Sequence, residues 1–134
     1  MARLILDTGV IIAGVRGQLD VTALADTDDV ALPALAVAEY LAGTLLDADR
    51  ARSVAQRAFL DEVLQVLPVH DYDQDVVTHH ATLLAHVQQT GRKRGAHDLI
   101  IAATACATNR IVVTTDERAQ FAELPGVSAR LVST

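Results

Sequence analysis

His97-Asp98-Leu99-Ile100-Ile101-Ala102-Ala103-Thr104-Ala105-Cys106, followed after Asn109 by Ile111-Val112-Val113-Thr114-Thr115-Asp116, is the stretch whose reading decides the fold. The first part is apolar on almost every side, the composition of a helix buried deep against a sheet, and the pattern predicts that helix over 97–109. The second is a short β-branched run without polar alternation, predicted as a strand over 111–114 in a sheet covered on both faces. An acid stands at the front of the helix, and another lies just beyond the strand.

Working outward, the same grammar recurs. Arg3-Leu4-Ile5-Leu6 reads as a buried strand ended by Asp7-Thr8-Gly9, with a short helix to about Arg16 and another over roughly 20–26. Val30-Ala31-Leu32 is a second strand. Pro33 suits the first turn of a helix, where its missing N–H is no loss, and that helix runs from Ala34 to Leu45 and carries Glu39. Asp47 or Asp49 caps a helix over 49–64, with Val54, Ala58, Leu60 and Leu64 among its apolar positions. Val66-Leu67-Pro68-Val69 reads as a third strand, placed at a sheet edge by its proline. Asp73 starts an amphipathic helix through Gln89 that Gly91 closes. After Asp116 come a short helix to Glu123 and a fifth strand, Ala129-Arg130-Leu131-Val132. Strands alternating with helices imply an α/β fold: a three-layer α/β/α domain spanning 1–134 around a central parallel sheet of about four to five strands.

Length and composition bound the function. The 134 residues suffice for one compact domain and not for two ordinary ones. No apolar run approaches the roughly 18 residues of a membrane span. The N-terminus meets Asp7 too early for a secretory segment. The single cysteine, Cys106, rules out an internal disulfide and fits a reducing compartment, so the expectation is a cytoplasmic protein. The formal charge of −6 argues at first sight against a nucleic-acid binder. That balance changes if several acids are committed to cations.

Asp7, Glu39, Asp98 and Asp116 all stand where a strand gives way to a helix or where a helix has just begun. In parallel sheets, ligands bind beyond the carboxyl ends of the strands, so the four fall naturally into one pocket. Gathered there, they would repel one another. A divalent cation removes that cost, and hard oxygen donors are what Mg²⁺ and Mn²⁺ prefer. The pattern points to a metal-dependent hydrolytic site.

Leu6-Asp7-Thr8, Ala38-Glu39-Tyr40-Leu41-Ala42-Gly43, His97-Asp98-Leu99-Ile100-Ile101-Ala102-Ala103-Thr104-Ala105 and Thr114-Thr115-Asp116-Glu117-Arg118-Ala119-Gln120-Phe121 together resemble the PIN-domain ribonucleases. The likeness is strongest to the VapC-type toxins of toxin–antitoxin pairs, and it covers essentially the whole chain in order. The resemblance implies an endoribonuclease in which Asp7, Asp98 and Asp116 hold one or two Mg²⁺ or Mn²⁺ ions, with Glu39 as a ligand or as an acceptor just behind. Water would be the nucleophile, leaving a 5′-phosphate and a 3′-hydroxyl. Thr8, and Thr115 as a helper, would support the acids. It also implies a small antitoxin whose C-terminal segment lies over the site, and a homodimer; the apolar face around 49–64 is a candidate contact. Two positions depart from the family pattern: Gly9 stands where members commonly carry Ser or Asn, and Ala42 where some carry a further acid.

Each residue also has a plainer role. Asp98 could be only a helix N-terminal charge, Asp116 only an N-cap, Glu39 a solvated helix position, and Thr8 a local backbone partner. His97 reads as a surface histidine rather than a general base. His79, His80 and His86 lie too far apart along one helix to hold zinc alone. Cys106 reads as a small core residue. The basic run Arg92-Lys93-Arg94 is either an RNA contact or a solvated loop. A phosphate-accepting receiver domain is a rival of similar size. It needs a lysine after the last strands, and the only lysine, Lys93, precedes a helix. Two further alternatives are an RNA-processing nuclease without an antitoxin and a silent RNA- or partner-binding module.

Overall fold

The computed structural model describes residues 1–134. Five parallel strands form one sheet: β1 (Arg3–Leu6), β2 (Asp29–Pro33), β3 (Val69–His70), β4 (Ile111–Thr114) and β5 (Ala129–Leu131), in the order β3-β2-β1-β4-β5. Five helices cover it: α1 (Thr8–Val15), α2 (Ala34–Leu46), α3 (Arg50–Val66), α4 (Gln74–Thr90) and α5 (Ala96–Thr108). Short 3-10 turns occupy Thr22–Asp26, Glu117–Ala119 and Phe121–Glu123. No helix is long and apolar enough to cross a membrane.

The alternation of side chains along each strand builds two cores, one on each face. Leu4, Leu6, Val30, Leu32 and Val113 face α1, α2 and α3, meeting Val10, Ile11, Ala36, Tyr40, Leu60 and Val63. Ile5 and Val112 face the other way, onto α4 and α5, where Val76, Leu83, Leu99, Ile101, Ala102 and Phe121 close the second core. The three-layer α/β/α architecture follows from this two-sided burial. The middle strand, β1, pairs with β2 on one side and β4 on the other, so the chain order reverses across the β1–β4 seam.

Side-chain caps set the helix starts. Asp49 accepts from the Arg52 N–H at 3.0 Å and Asp73 from the Val76 N–H at 3.0 Å. Gly91 ends α4 in the left-handed region at φ 67°. Asp47 does not cap α3 but forks onto the Arg52 guanidinium, which holds its carboxyl down at about 2.

Several boundaries differ from the sequence reading. The third strand, expected over 66–69, is only Val69–His70, because α3 runs on to Val66 and closes with a Leu67 N–H to Val63 carbonyl bond of 2.8 Å. Leu60, Val63 and Leu67 form one inward stripe at helical spacing, and that stripe outweighs the β-branched content of the segment. The strand does lie at the sheet edge. Pro33 is the last residue of β2 and the N-cap of α2, one position before its first turn. The short helix expected after Asp116 is two 3-10 turns separated by Gln120 at φ 48°. Cys106 is half-buried at the border of the second core, its thiol 3.5 Å from the Gly126 carbonyl oxygen.

Candidate active site

At the carboxyl end of the β1–β4 seam, the backbone delivers acids from both layers. Asp7 follows β1 and caps α1, its Oδ1 accepting from the Thr8 N–H at 2.8 Å. Glu39 sits in the second turn of α2 and Asp98 in the first turn of α5. Asp116 lies two residues beyond β4 and caps the next 3-10 turn through the Arg118 N–H at 2.9 Å. The capping role expected as the plain reading of Asp116 is therefore real. It fixes the backbone from which the carboxylate projects.

Asp7 is the buried member, 8% exposed. Burial pushes its carboxyl above the usual carboxylate range, bonds from Thr114 and Thr8 oppose this, and the charges of Glu39 and Asp116 push it further up. Asp98 is raised in the same way, by burial first and then by the charges of Asp7, Asp116 and Glu39, against a smaller opposing pull from His97. The four acids thus stand close enough for their charges to act on one another. No Arg or Lys pairs with any of them; the one basic side chain in contact with the set is His97, 3.0 Å from Glu39 Oε2 and 60% exposed.

Two threonines and a histidine hold this arrangement. The Thr114 hydroxyl donates to Asp7 Oδ2 at 2.9 Å and accepts from the Asp116 N–H at 3.0 Å, tying the two acids across the seam. The Thr8 hydroxyl donates to Glu39 Oε1 at 2.9 Å. Glu39 is therefore gripped at both oxygens, by Thr8 and His97.

Thr8 lies where the sequence placed it. Thr115 makes no hydrogen bond to the acids; its hydroxyl packs against Gly9, at 2.5 Å from where a Cβ would stand. Thr114, the neighbour passed over in the sequence, has the bonding role. Its signal was the alternation rule: Leu6 pairs with Val113, so the next pair in register is Asp7 beside Thr114. His97 is at the surface, as expected, yet it is bonded to a site residue.

The basic run divides. Arg92 and Lys93 are exposed, whereas Arg94 turns inward onto main-chain carbonyls. A groove of about 640 Å³ between α1, α2 and α3 leads up to Glu39, lined among others by Ile12, Arg16, Tyr40, Arg52 and Gln56. The expected apolar face of α3 is split, with Leu60 buried and Val54 and Leu64 turned outward. His79, His80 and His86 assemble no metal site; His80 Nδ1 bonds the Tyr72 hydroxyl at 2.8 Å.

The donor set can be tested against a divalent cation. No three of these side chains stand, as placed, around one common ion position. Their chemistry nevertheless fits one: all-oxygen donors, a buried carboxylate with no cation opposite it, and Asp98 with no hydrogen-bond partner of its own. Asp98 is half-exposed and Asp116 exposed, whereas Asp7 is buried and anchored by Thr114.

Comparison with known proteins agrees with this architecture. Residues 4–127 match the family described as the PIN domain, and the chain belongs to that family. Ribonuclease VapC5 of Mycobacterium tuberculosis (strain ATCC 25618 / H37Rv) is 34% identical over 128 residues, a span of 93% of this chain and 90% of that protein. Among solved structures, VapBC-5 of the VapBC family of toxin-antitoxin systems, from Mycobacterium tuberculosis, is 29% identical with a TM-score of 0.75 and full coverage of both chains. VapBC2 from Rickettsia felis, bound to a DNA fragment from its promoter, shares the fold at a TM-score of 0.85 and 21% identity, covering 97% of this chain and 98% of that one.

Proposed function

We propose that this chain is a divalent-metal-dependent endoribonuclease and the toxin of a toxin–antitoxin pair. The observation that carries the reading is the convergence of four acids, drawn from both layers, around a buried Asp7 that no Arg or Lys neutralises. The relatives support it: one is named a ribonuclease, and the 29% identical structure is a VapBC member.

In this reading Asp7, Asp98 and Asp116 hold Mg²⁺ or Mn²⁺, and Glu39 is a direct ligand or a partner one step removed. The metal would supply a lowered water pKa near neutrality and a counter-charge for the phosphate. The protein's own work is positional. Thr114 aims Asp7 and fixes Asp116, while Thr8 and His97 orient Glu39. No side-chain nucleophile is required. Within the basic run, Arg92 and Lys93 are the exposed cations available to an RNA backbone.

An antitoxin is the protein partner in this reading, supported by the VapBC relative. An antitoxin segment in the groove beside Glu39 could carry an Arg or Lys onto the acids and compete with the metal. A homodimer is the second association, with the outward face of α3 its candidate contact. Incubation of the purified chain with cellular RNA, with and without Mg²⁺ or Mn²⁺ and beside Asp7→Asn, tests the nuclease. Cleavage should need the metal and vanish in the variant; equal cleavage by Asp7→Asn would refute the site.

A further inference from the structure

The loop joining α4 to α5 and the segment following Asp116 are tied chiefly by one side chain. Arg94 is only 12% exposed. Its Nη1 donates to the carbonyl oxygens of Ala119 at 2.6 Å and Gln120 at 2.9 Å, and its Nη2 lies 3.5 Å from Glu123 Oε2. The segment it grips has little regular structure: two three-residue 3-10 turns, joined at Gln120 in the left-handed region. Turns this short make few hydrogen bonds of their own, so beyond the burial of Ala119, Phe121 and Leu124 in the second core their position depends on outside polar contacts. Asp116 opens the first turn, and Asp98 lies four residues after Arg94, in the first turn of α5. The other polar contact between the two segments is Arg92 to Glu123, at 3.4 Å and mostly exposed to solvent.

We infer that Arg94 is a positioning residue, a strap that sets the spacing of Asp116 from Asp98 so that both can serve one divalent cation. This rests on the carboxylate-site reading above. Its Nη1 donors are spent on two carbonyl oxygens and its Nη2 faces Glu123, so Arg94 is turned away from phosphate contact and its two basic neighbours are not. A guanidinium suits the task because it presents several donors in a fixed plane. A lysine keeps the charge, but its ammonium ends one bond short of Nη1 and loses the two carbonyls.

Arg94→Lys therefore separates strap from charge. Three measurements on it, beside an Arg92→Gln/Lys93→Gln double variant, decide the matter: amide hydrogen exchange, calorimetric titration of the metal-free protein with Mn²⁺, and RNA cleavage kinetics. In Arg94→Lys, exchange over residues 117–124 should quicken about tenfold while α1–α3 stay unchanged. The Mn²⁺ dissociation constant should rise about tenfold. The loss in cleavage should fall on kcat, with KM for RNA held within about twofold. The double variant should do the reverse, raising KM and leaving Mn²⁺ affinity intact.

Parental exchange and Mn²⁺ affinity in Arg94→Lys overturn the strap. So does a loss confined to KM in an Arg94→Gln variant, which would assign the side chain to RNA after all. Asp7→Asn keeps the two failures apart. If it binds Mn²⁺ like the parent, the site reading falls and the metal role of Arg94 falls with it. If it loses Mn²⁺ while Arg94→Lys retains it, only the strap is wrong.

Discussion

The Thr114 hydroxyl and Asp7 Oδ2, on residues 107 positions apart in the chain, share a buried hydrogen bond of 2.9 Å. The donor's oxygen also receives the Asp116 N–H, so one hydroxyl serves both acids of the β1–β4 seam.

Thr114→Val keeps the shape of the side chain and removes the hydroxyl. Asp7 then loses a donor in a buried setting, a loss of about 1–3 kcal/mol in stability. RNA cleavage should fall about 10- to 100-fold, as for other residues that orient a metal ligand. Thr114→Ser should keep most activity and lose about 1 kcal/mol for the missing methyl group. Chemical unfolding with parallel cleavage assays checks both; a fully active Thr114→Val would show the bond to be incidental.

Acidity offers a second test. Asp7 and Asp98 are both raised above the ordinary 3.8, by burial first. The folded chain then holds these protons more tightly than the unfolded one. Their contribution to stability is complete below the unfolded value and is lost as pH rises through the raised folded values. In metal-free protein, Asp7→Asn should therefore melt progressively higher than the parent as pH climbs from about 4 to 7. Mn²⁺ should close or reverse that gap by raising the parent alone. A melting difference that does not change over the range counts against the repulsion.

At Gly9 the constraint is space. A Cβ there would meet the Thr115 hydroxyl at 2.5 Å and the Thr115 Cβ at an ordinary 3.8 Å. Gly9→Ala alone should cost about 1–3 kcal/mol through overpacking. In a Thr115→Ala background, the same change should be neutral or stabilise by up to about 1 kcal/mol, the helix preference for Ala over Gly. A double-mutant cycle by chemical denaturation measures the coupling; additive losses would place the strain elsewhere.

His97 gives the mildest case. Its ring is mostly exposed, so His97→Ala should alter stability by no more than about 0.5 kcal/mol. Glu39 keeps Thr8 but loses its second anchor, and Mn²⁺ affinity should weaken severalfold, short of the roughly tenfold or greater losses typical of such partners. Calorimetric titration beside a thermal melt distinguishes this from a general loss of fold.

Much of this architecture was legible because strong local patterns agreed with the global fold. The apolar strands at Leu4 and Val112, the cap at Asp73 and the stop at Gly91 each have one cheap structural solution, and the chain takes it. The third strand was overdrawn because Val66 and Leu67 suit a strand by type, while the spacing of Leu67 from Leu60 and Val63 carries α3 on through Val66. Periodicity outranked composition there. At the candidate site the carboxylates could be named, since acids ending apolar strands stand out. Their holders could not be named as easily. Choosing Thr114 over Thr115 required the β1–β4 register, and the inward turn of Arg94 depends on carbonyls 25 and 26 residues further along the chain.

The placement of the acids in two layers has a consequence for how the protein is made. Asp7 and Glu39 belong to the layer translated first, and Asp98 and Asp116 to the layer translated later; β1, at the centre of the sheet, waits for β4 to supply its second neighbour. A nascent chain that has completed only α1–α3 therefore carries two of the four acids beside an uncovered sheet face. On the proposed reading of the site, competence arrives late in synthesis, after the chain has returned to its first strand, and partial products emerging from a ribosome lack the complete set of acids.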